Sequence, residues 1–148
     1  MIELVATVVI TLSSVLLFGY WFRYTCLLIL SAKTAKDYAS QVAAQNQLGF
    51  LEVQSQLQAD VLALDPLRAA LDHDFALLSR MLKESEAAEG SAIENRMLDL
   101  NYRLNAMWFR AASSIAPASA RKALQEMSMV IAHMANAMGE QAASSAAA

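Results

Sequence analysis

Hydrophobic residues follow two different patterns along this chain. Residues 4–22 contain no charged side chain, and most of their positions are apolar. Beyond residue 32, apolar side chains recur at steps of three and four residues between polar and charged ones. The uncharged run predicts a membrane-spanning helix, whereas the three-four spacing predicts amphipathic helices. The pattern therefore divides the chain into an apolar N-terminal segment, residues 1–32, and a helical body, residues 33–138.

The N-terminal segment has the length and composition of a single transmembrane helix, since about 20 apolar residues cross the hydrocarbon core. Aromatic rings prefer the level of the lipid headgroups, and Lys and Arg side chains extend to the phosphates there. The residues predicted at this interface are Phe18, Tyr20, Trp21, Phe22, Arg23, Tyr24, Lys33 and Lys36. A cleaved signal peptide is the alternative, but no Lys or Arg precedes the apolar run and no small-residue cleavage site follows it.

The sequence allows two positions for the C-terminal end of the membrane span. After Arg23 the apolar sequence resumes over residues 25–32, so the bilayer covers either residues 3–22 or roughly residues 10–31. The second placement leaves Arg23 inside the membrane, which is energetically costly, so the aromatic belt favours the first. Lys and Arg lie only on the C-terminal side of the span. This asymmetry predicts a short N-terminus outside and a cytoplasmic body, and the Ala-rich, Cys-poor composition is compatible with a bacterial inner membrane.

Four amphipathic helices are predicted in the body, at about residues 33–64, 66–88, 92–113 and 117–138. Asp65 and Pro66 place a capping side chain and a proline at the start of the second helix. Short loops between such helices indicate antiparallel neighbours. We therefore expect an all-α fold in which the transmembrane helix continues into an antiparallel three- or four-helix bundle. Residues 139–148 contain no large apolar side chain and are expected to be disordered.

Each predicted helix carries an apolar stripe that is expected to form the bundle core. The stripe of the third helix consists of Ile93, Met97, Leu100, Leu104, Met107 and Ala111. The stripe of the fourth, close to a heptad seam, consists of Leu124, Met127, Ile131, Met134 and Met138. Beside these stripes lie the residues of a candidate partner surface, which are Arg96, Arg103, Arg110, Met129 and Val130. Ion pairs at the bundle boundary and ordinary core packing are the alternative explanation for the same residues.

Composition and motifs indicate no catalytic chemistry. The net charge of −3 does not suit a nucleic-acid-binding protein. Cys26 is the one cysteine, and the helical run Asp72-His73-Asp74 points its three side chains in different directions, so no metal site is predicted. Neither a nucleophile elbow nor a glycine-rich phosphate loop occurs in the sequence. We therefore predict that the chain is not an enzyme and binds no cofactor or nucleic acid.

Three functions are consistent with this organisation. The leading hypothesis is a membrane-tethered structural or accessory protein that acts through protein–protein interaction or oligomerisation, with other membrane-protein subunits or further copies of itself. The second is a signalling element in which a continuous helix relays a change from the membrane to the bundle. A pathway for ions or small molecules would require Arg23 and Glu3 to lie inside an oligomeric pore, and it has the least support.

Overall fold

The computed structural model describes residues 1–32, 36–60, 63–85 and 89–148, and within the last range it excludes the side chains of residues 89–91. The predicted all-α class is confirmed, because the described residues form helices and contain no strand. These helices are α1 (Ile2–Ser31), α2 (Ala39–Asn46), α3 (Phe50–Gln58), α4 (Asp65–Glu84), α5 (Glu89–Ala112) and α6 (Pro117–Ala147). The chain divides into two compact units, residues 1–32 and residues 33–148, which are described in turn.

The first unit is α1, which is long and apolar enough, by length and composition, to cross a membrane. Its 30 residues extend over roughly 45 Å at the rise of an α-helix. The hydroxyls of Thr7 and Thr11 each donate a hydrogen bond of 2.8 Å to the carbonyl four residues earlier, so these polar groups are satisfied within the helix. The helix ends at Ser31, because Ala32 adopts an extended conformation with φ −60° and ψ 118°. It therefore does not continue into the body as one helix, as the sequence had suggested.

The second unit is built around α6. This helix starts with a proline at its first position and is contacted by α2, α3, α4 and α5. Leu124, Met127, Ile131 and Met134 are buried on it, as the heptad seam predicts. The long central helix thus contacts each of the other four helices of the body, while α3 also contacts α2 and α4.

The segment predicted as one helix over residues 33–64 forms two short helices. α2 ends because Gln47 adopts a left-handed conformation, with φ 54°, and the Leu48 N–H donates a bond of 2.9 Å to the Ala43 carbonyl. This arrangement is a Schellman-type helix ending. Gly49 then precedes α3, and the side chains of Val42 in α2 and Phe50 in α3 are both buried. The break allows both short helices to turn their apolar side chains into the core.

The C-terminal residues 139–147 are helical, whereas the sequence predicts a disordered tail from residue 139. Their order has a physical cause in the packing against the start of α2. The Tyr38 N–H donates a bond of 2.7 Å to Asn136 Oδ1, and Gly139 lies directly against the Tyr38 side chain. Further along, Gln141 bonds both the hydroxyl and the carbonyl of Ser85. These contacts fix α6 beyond its predicted end.

Candidate interaction surface

The face of α5 that is buried is not the face that its sequence pattern predicts. The buried side chains are Leu98, Asn101, Tyr102, Asn105, Phe109 and Ala112. The predicted core stripe instead lies on the surface, where Ile93, Leu100, Leu104 and Met107 are 46–68 % exposed and neighbouring Trp108 is 57 % exposed. Met97 is half-buried, and Ala111 is exposed. The prediction that this stripe forms part of the bundle core is therefore wrong.

Polar contacts fix the buried face of α5 against α4. The Tyr102 hydroxyl donates a bond of 2.9 Å to Asp72 Oδ1, and its ring stacks on Phe75 with centroids 3.8 Å apart. Burial, together with the hydrogen bond to the Asp72 carboxylate, raises the pKa of Tyr102 well above its usual range. The other Asp72 oxygen lies 3.4 Å from Arg68 Nε, and the Arg68 guanidinium lies 5.6 Å from the ring centre of Phe109. Asp72 thus contacts α5 through Tyr102, and its neighbour Arg68 on α4 contacts α5 through Phe109.

A second set of polar contacts joins α5 to α6. Asn105 Nδ2 donates bonds of 3.0 Å to the Asn101 carbonyl and 3.1 Å to Glu126 Oε2. His133 Nε2 on α6 lies 2.8 Å from Glu94 Oε1 on α5. Buried polar groups are tolerated when they are hydrogen-bonded, and Tyr102 and Asn105 meet this condition, whereas Asn101 Nδ2 is buried without a hydrogen-bond partner.

The remaining members of the Asp72-His73-Asp74 cluster have separate surroundings. The Asp74 carboxylate is buried, and its Oδ2 accepts a bond of 2.8 Å from the Gly49 N–H at the start of α3. His73 is largely exposed, with Nδ1 3.5 Å from Asp74 Oδ1. Within the described part of the chain, no group of three His, Cys, Asp or Glu side chains is placed to hold a metal ion. The contacts of Asp72 and Asp74 therefore join α4 to α5 and α3 and hold these helices together.

The exposed apolar row on α5 follows a heptad repeat. We call it the α5 stripe, and it consists of the exposed Ile93, Leu100, Leu104 and Met107 together with the half-buried Met97. The steps between its members are four, three, four and three residues, which are the spacings of the d and a positions in a coiled coil. From Ile93 to Met107 the stripe extends about 21 Å along the helix. Its geometry is that of a surface to which another helix can bind.

The three arginines of the predicted partner surface form a row along one edge of the α5 stripe. Arg96, Arg103 and Arg110 are exposed and each occupies the heptad position g. Arg103 pairs within α5, with Nε 2.9 Å from Asp99 Oδ2. Among the side chains that the structure describes, no carboxylate lies within ion-pair distance of Arg96 or Arg110. Arg96 and Arg110 therefore present exposed guanidinium groups along this edge of the stripe.

A groove of about 490 Å³ adjoins the arginine row between α4 and α5. The residues that line it are Ser79, Leu82, Lys83, Ala92, Asn95, Arg96, Asp99 and Met134. The groove is open, and its charged residues are Lys83, Arg96 and Asp99. The groove thus lies directly beside the arginine row and shares Arg96 with it.

The two α6 residues of the predicted partner surface lie in different environments. Met129 is 41 % exposed, whereas Val130 is fully buried. Because α6 is covered by four helices, its apolar face is wider than the heptad seam and includes Val130. The prediction that Val130 contributes to a partner surface is wrong, since its side chain belongs to the core.

The predicted membrane-interface residues of α1 are mostly on its surface. Phe18, Tyr20, Trp21 and Tyr24 are exposed, and Tyr20 and Tyr24 stack with ring centroids 6.4 Å apart. Phe22 is buried, and Arg23 is exposed. Lys36 is also exposed, whereas Lys33 lies outside the described residues.

Comparisons with protein-family models, with curated proteins and with solved structures found no match to this chain. Its candidate surface is therefore interpreted from its own geometry and charge.

Proposed function

We propose that this chain is a membrane-tethered helical accessory protein that binds another protein through the α5 stripe. The observation that carries the proposal is the exposure of a heptad-spaced apolar row on a well-packed helix. Soluble domains seldom leave a contiguous apolar row uncovered, and such surfaces commonly mark interaction sites. The arginine row along one edge gives the surface a charge pattern that a specific partner can recognise.

The tether gives this surface a physical advantage. Complete burial of a large apolar side chain contributes about 1.5–3 kcal/mol, so the four half-exposed side chains of the stripe contribute roughly 3–6 kcal/mol, and Met97 adds less. Association itself costs at least about 4 kcal/mol in lost freedom, which leaves a modest net affinity in solution. Anchoring both partners in one membrane raises their effective concentration and makes a modest affinity sufficient. A membrane anchor therefore allows a small interaction surface to bind its partner.

The proposed location follows from α1 and its flanking charges. We place α1 across the membrane and the body on the cytoplasmic side, because Arg23 and Lys36 follow the apolar run while no Lys or Arg precedes it. A bacterial inner membrane suits this arrangement. The signalling alternative required one continuous helix from membrane to bundle, and no observation favours it, since α1 ends at Ser31.

Photo-crosslinking in the native membrane tests the proposal. A photoreactive phenylalanine analogue replaces Leu100 in the full-length chain, and the matched control replaces Ser55, an exposed residue of α3. We expect a discrete crosslinked species from position 100 and none from position 55. Absence of a crosslink at position 100, or equal crosslinking at both positions, would contradict a binding role for the α5 stripe.

A further inference from the structure

We propose that the partner segment bound by α5 is an amphipathic helix with an apolar heptad seam and acidic residues at the positions facing Arg96, Arg103 and Arg110. This inference rests on the proposed function and specifies the chemistry of the partner.

The spacing of the α5 stripe indicates a helical partner. Alternating steps of three and four residues keep an apolar row facing a second helix along its length, with each side chain inserted between side chains of the partner. A β-strand partner would present its side chains at a period of two residues and would not follow this row. The row from Ile93 to Met107 covers two heptads, which corresponds to about four turns of a partner helix.

The charge of the arginine row indicates acidic flanks on that helix. Residues at position g face position e of the partner in a parallel pair and position g in an antiparallel pair. Arg96 and Arg110 lack a carboxylate partner among the described side chains, and Arg103 remains 67 % exposed despite its pair with Asp99. Glu or Asp residues spaced by seven on the partner would meet all three guanidinium groups.

A second copy of this chain does not supply those acidic groups. In an antiparallel pair of α5 helices Arg103 would face its own counterpart, and Arg96 would face Arg110, so the contacts would be repulsive. In a parallel pair, the residues opposite the arginines would come from the e positions. Of these, Asn101 is buried and Trp108 is uncharged, while Glu94 already contacts His133. Self-association of α5 with α5 thus leaves the arginine row without carboxylates.

An anionic membrane surface fits the same residues less well. Interfacial helices carry a broad basic face opposite their apolar face, whereas the opposite side of α5 is packed against α4 and α6. The observations therefore favour an acidic helix over lipid headgroups.

Binding of two designed peptides tests the inference. Both contain four heptads with Ile and Leu at the seam, and their e and g positions are Glu in the acidic peptide and Lys in the basic peptide. Fluorescence anisotropy measures their binding to the full-length chain in nanodiscs of phosphatidylcholine. We expect the acidic peptide to bind at least about tenfold more tightly than the basic one, as three exposed ion pairs would give. Equal binding of the two peptides, or binding of neither, would overturn the inference.

Charge reversal supplies the matched variants. The double change Arg96→Glu and Arg110→Glu should weaken binding of the acidic peptide about tenfold and strengthen binding of the basic one. The control triple change Lys122→Glu, Gln45→Glu and Gln58→Glu alters net charge by the same amount at exposed sites outside α5 and should leave both affinities unchanged. Equal losses in the charge-reversal and control variants would show a general charge effect and overturn the inference.

Two further measurements identify the competing occupants. In native mass spectrometry, a dimer that is lost in the Leu100→Glu variant would show that a second copy covers the stripe. In a Trp21→Phe background, a blue shift of Trp108 emission in phosphatidylglycerol nanodiscs, abolished by the Arg96→Glu and Arg110→Glu changes, would show lipid binding. Either result overturns the acidic-helix inference. The proposed function fails separately, when position 100 gives no crosslink to another protein.

Discussion

The Asp74 carboxylate is placed to stabilise the start of α3, a helix of nine residues that would be marginal alone. Its side chain is 3 % exposed, and its Oδ2 accepts the Gly49 N–H at 2.8 Å. A negative charge at a helix N-terminus interacts favourably with the helix dipole. At the other end of α3, Arg121 donates a bond of 2.9 Å to the Leu57 carbonyl. Charged side chains from α4 and α6 thus hold both ends of α3.

Replacing Asp74 with alanine is expected to destabilise the body by roughly 2–3 kcal/mol. A buried N–H left without an acceptor costs about 1–3 kcal/mol, and the lost interaction with the helix dipole adds about 0.3–1 kcal/mol. Asp74→Asn retains an acceptor oxygen but not the charge, so its cost should be nearer 1 kcal/mol. The adjacent change His73→Ala is the matched control, since that side chain is 75 % exposed, and it should cost less than about 0.5 kcal/mol.

Urea unfolding of the full-length chain in mild detergent, followed by far-ultraviolet circular dichroism, measures these free energies of unfolding. Hydrogen exchange shows which helix is destabilised. The amides of α3 should exchange faster in Asp74→Ala, while those of α5 remain protected. A loss of stability in Asp74→Ala no larger than that in His73→Ala would refute the capping role. Equal acceleration of exchange in α3 and α5 would show that the effect is global instead.

Further predictions concern a close contact, a helix ending and a tyrosine. Gly139→Ala should lower the free energy of unfolding, measured in urea, by about 1–3 kcal/mol, because the added Cβ would overlap the Tyr38 side chain. The matched change Gly49→Ala should alter it by less than about 0.5 kcal/mol, because the nearest atoms to that Cβ are 3.9 Å away. Gln47→Gly should raise the free energy of unfolding by about 0.5–1 kcal/mol, and with it the urea midpoint, because glycine adopts the positive φ of this position without strain. Above pH 10 the unfolded chain loses the Tyr102 proton while the folded chain keeps it, because the folded pKa is raised from 10.0. Stability should therefore fall by about 1.4 kcal/mol per pH unit there, and Tyr102→Phe should remove this component.

The elements that the sequence predicts most directly depend on long uniform patterns. α1 follows from an uncharged run, and the buried face of α6 follows from a heptad seam that includes Leu124 and Ile131. The Asp65-Pro66 pair locates the start of α4, although the predicted capping role of Asp65 is wrong, because Leu64 is the N-cap and no side chain caps this helix. In each case the signal lies within the element itself, so no knowledge of its neighbours is needed.

Other features depend on partners distant in the chain. Gln47 has no intrinsic preference for a left-handed conformation, and the break after α2 follows from the burial of both short helices. The packing of α6 around Asn136 and Gly139 depends on Tyr38, which lies about a hundred residues earlier. Likewise, the inward face of α5 is set by acceptors on other helices, such as Asp72 and Glu126. Periodicity alone contains no information about these contacts.

The orientation of α5 about its own axis bears on how its stripe is used. Turning the stripe into the core would require a rotation of about a third of a turn, which would break the Tyr102–Asp72 and Asn105–Glu126 bonds. Partial loss of such a network leaves buried polar groups unsatisfied, so the observed orientation is well determined. Places where a fold departs from its local sequence pattern are often those that serve function. A partner helix can therefore bury the stripe without any rearrangement of the body, which is the condition for rapid and reversible binding.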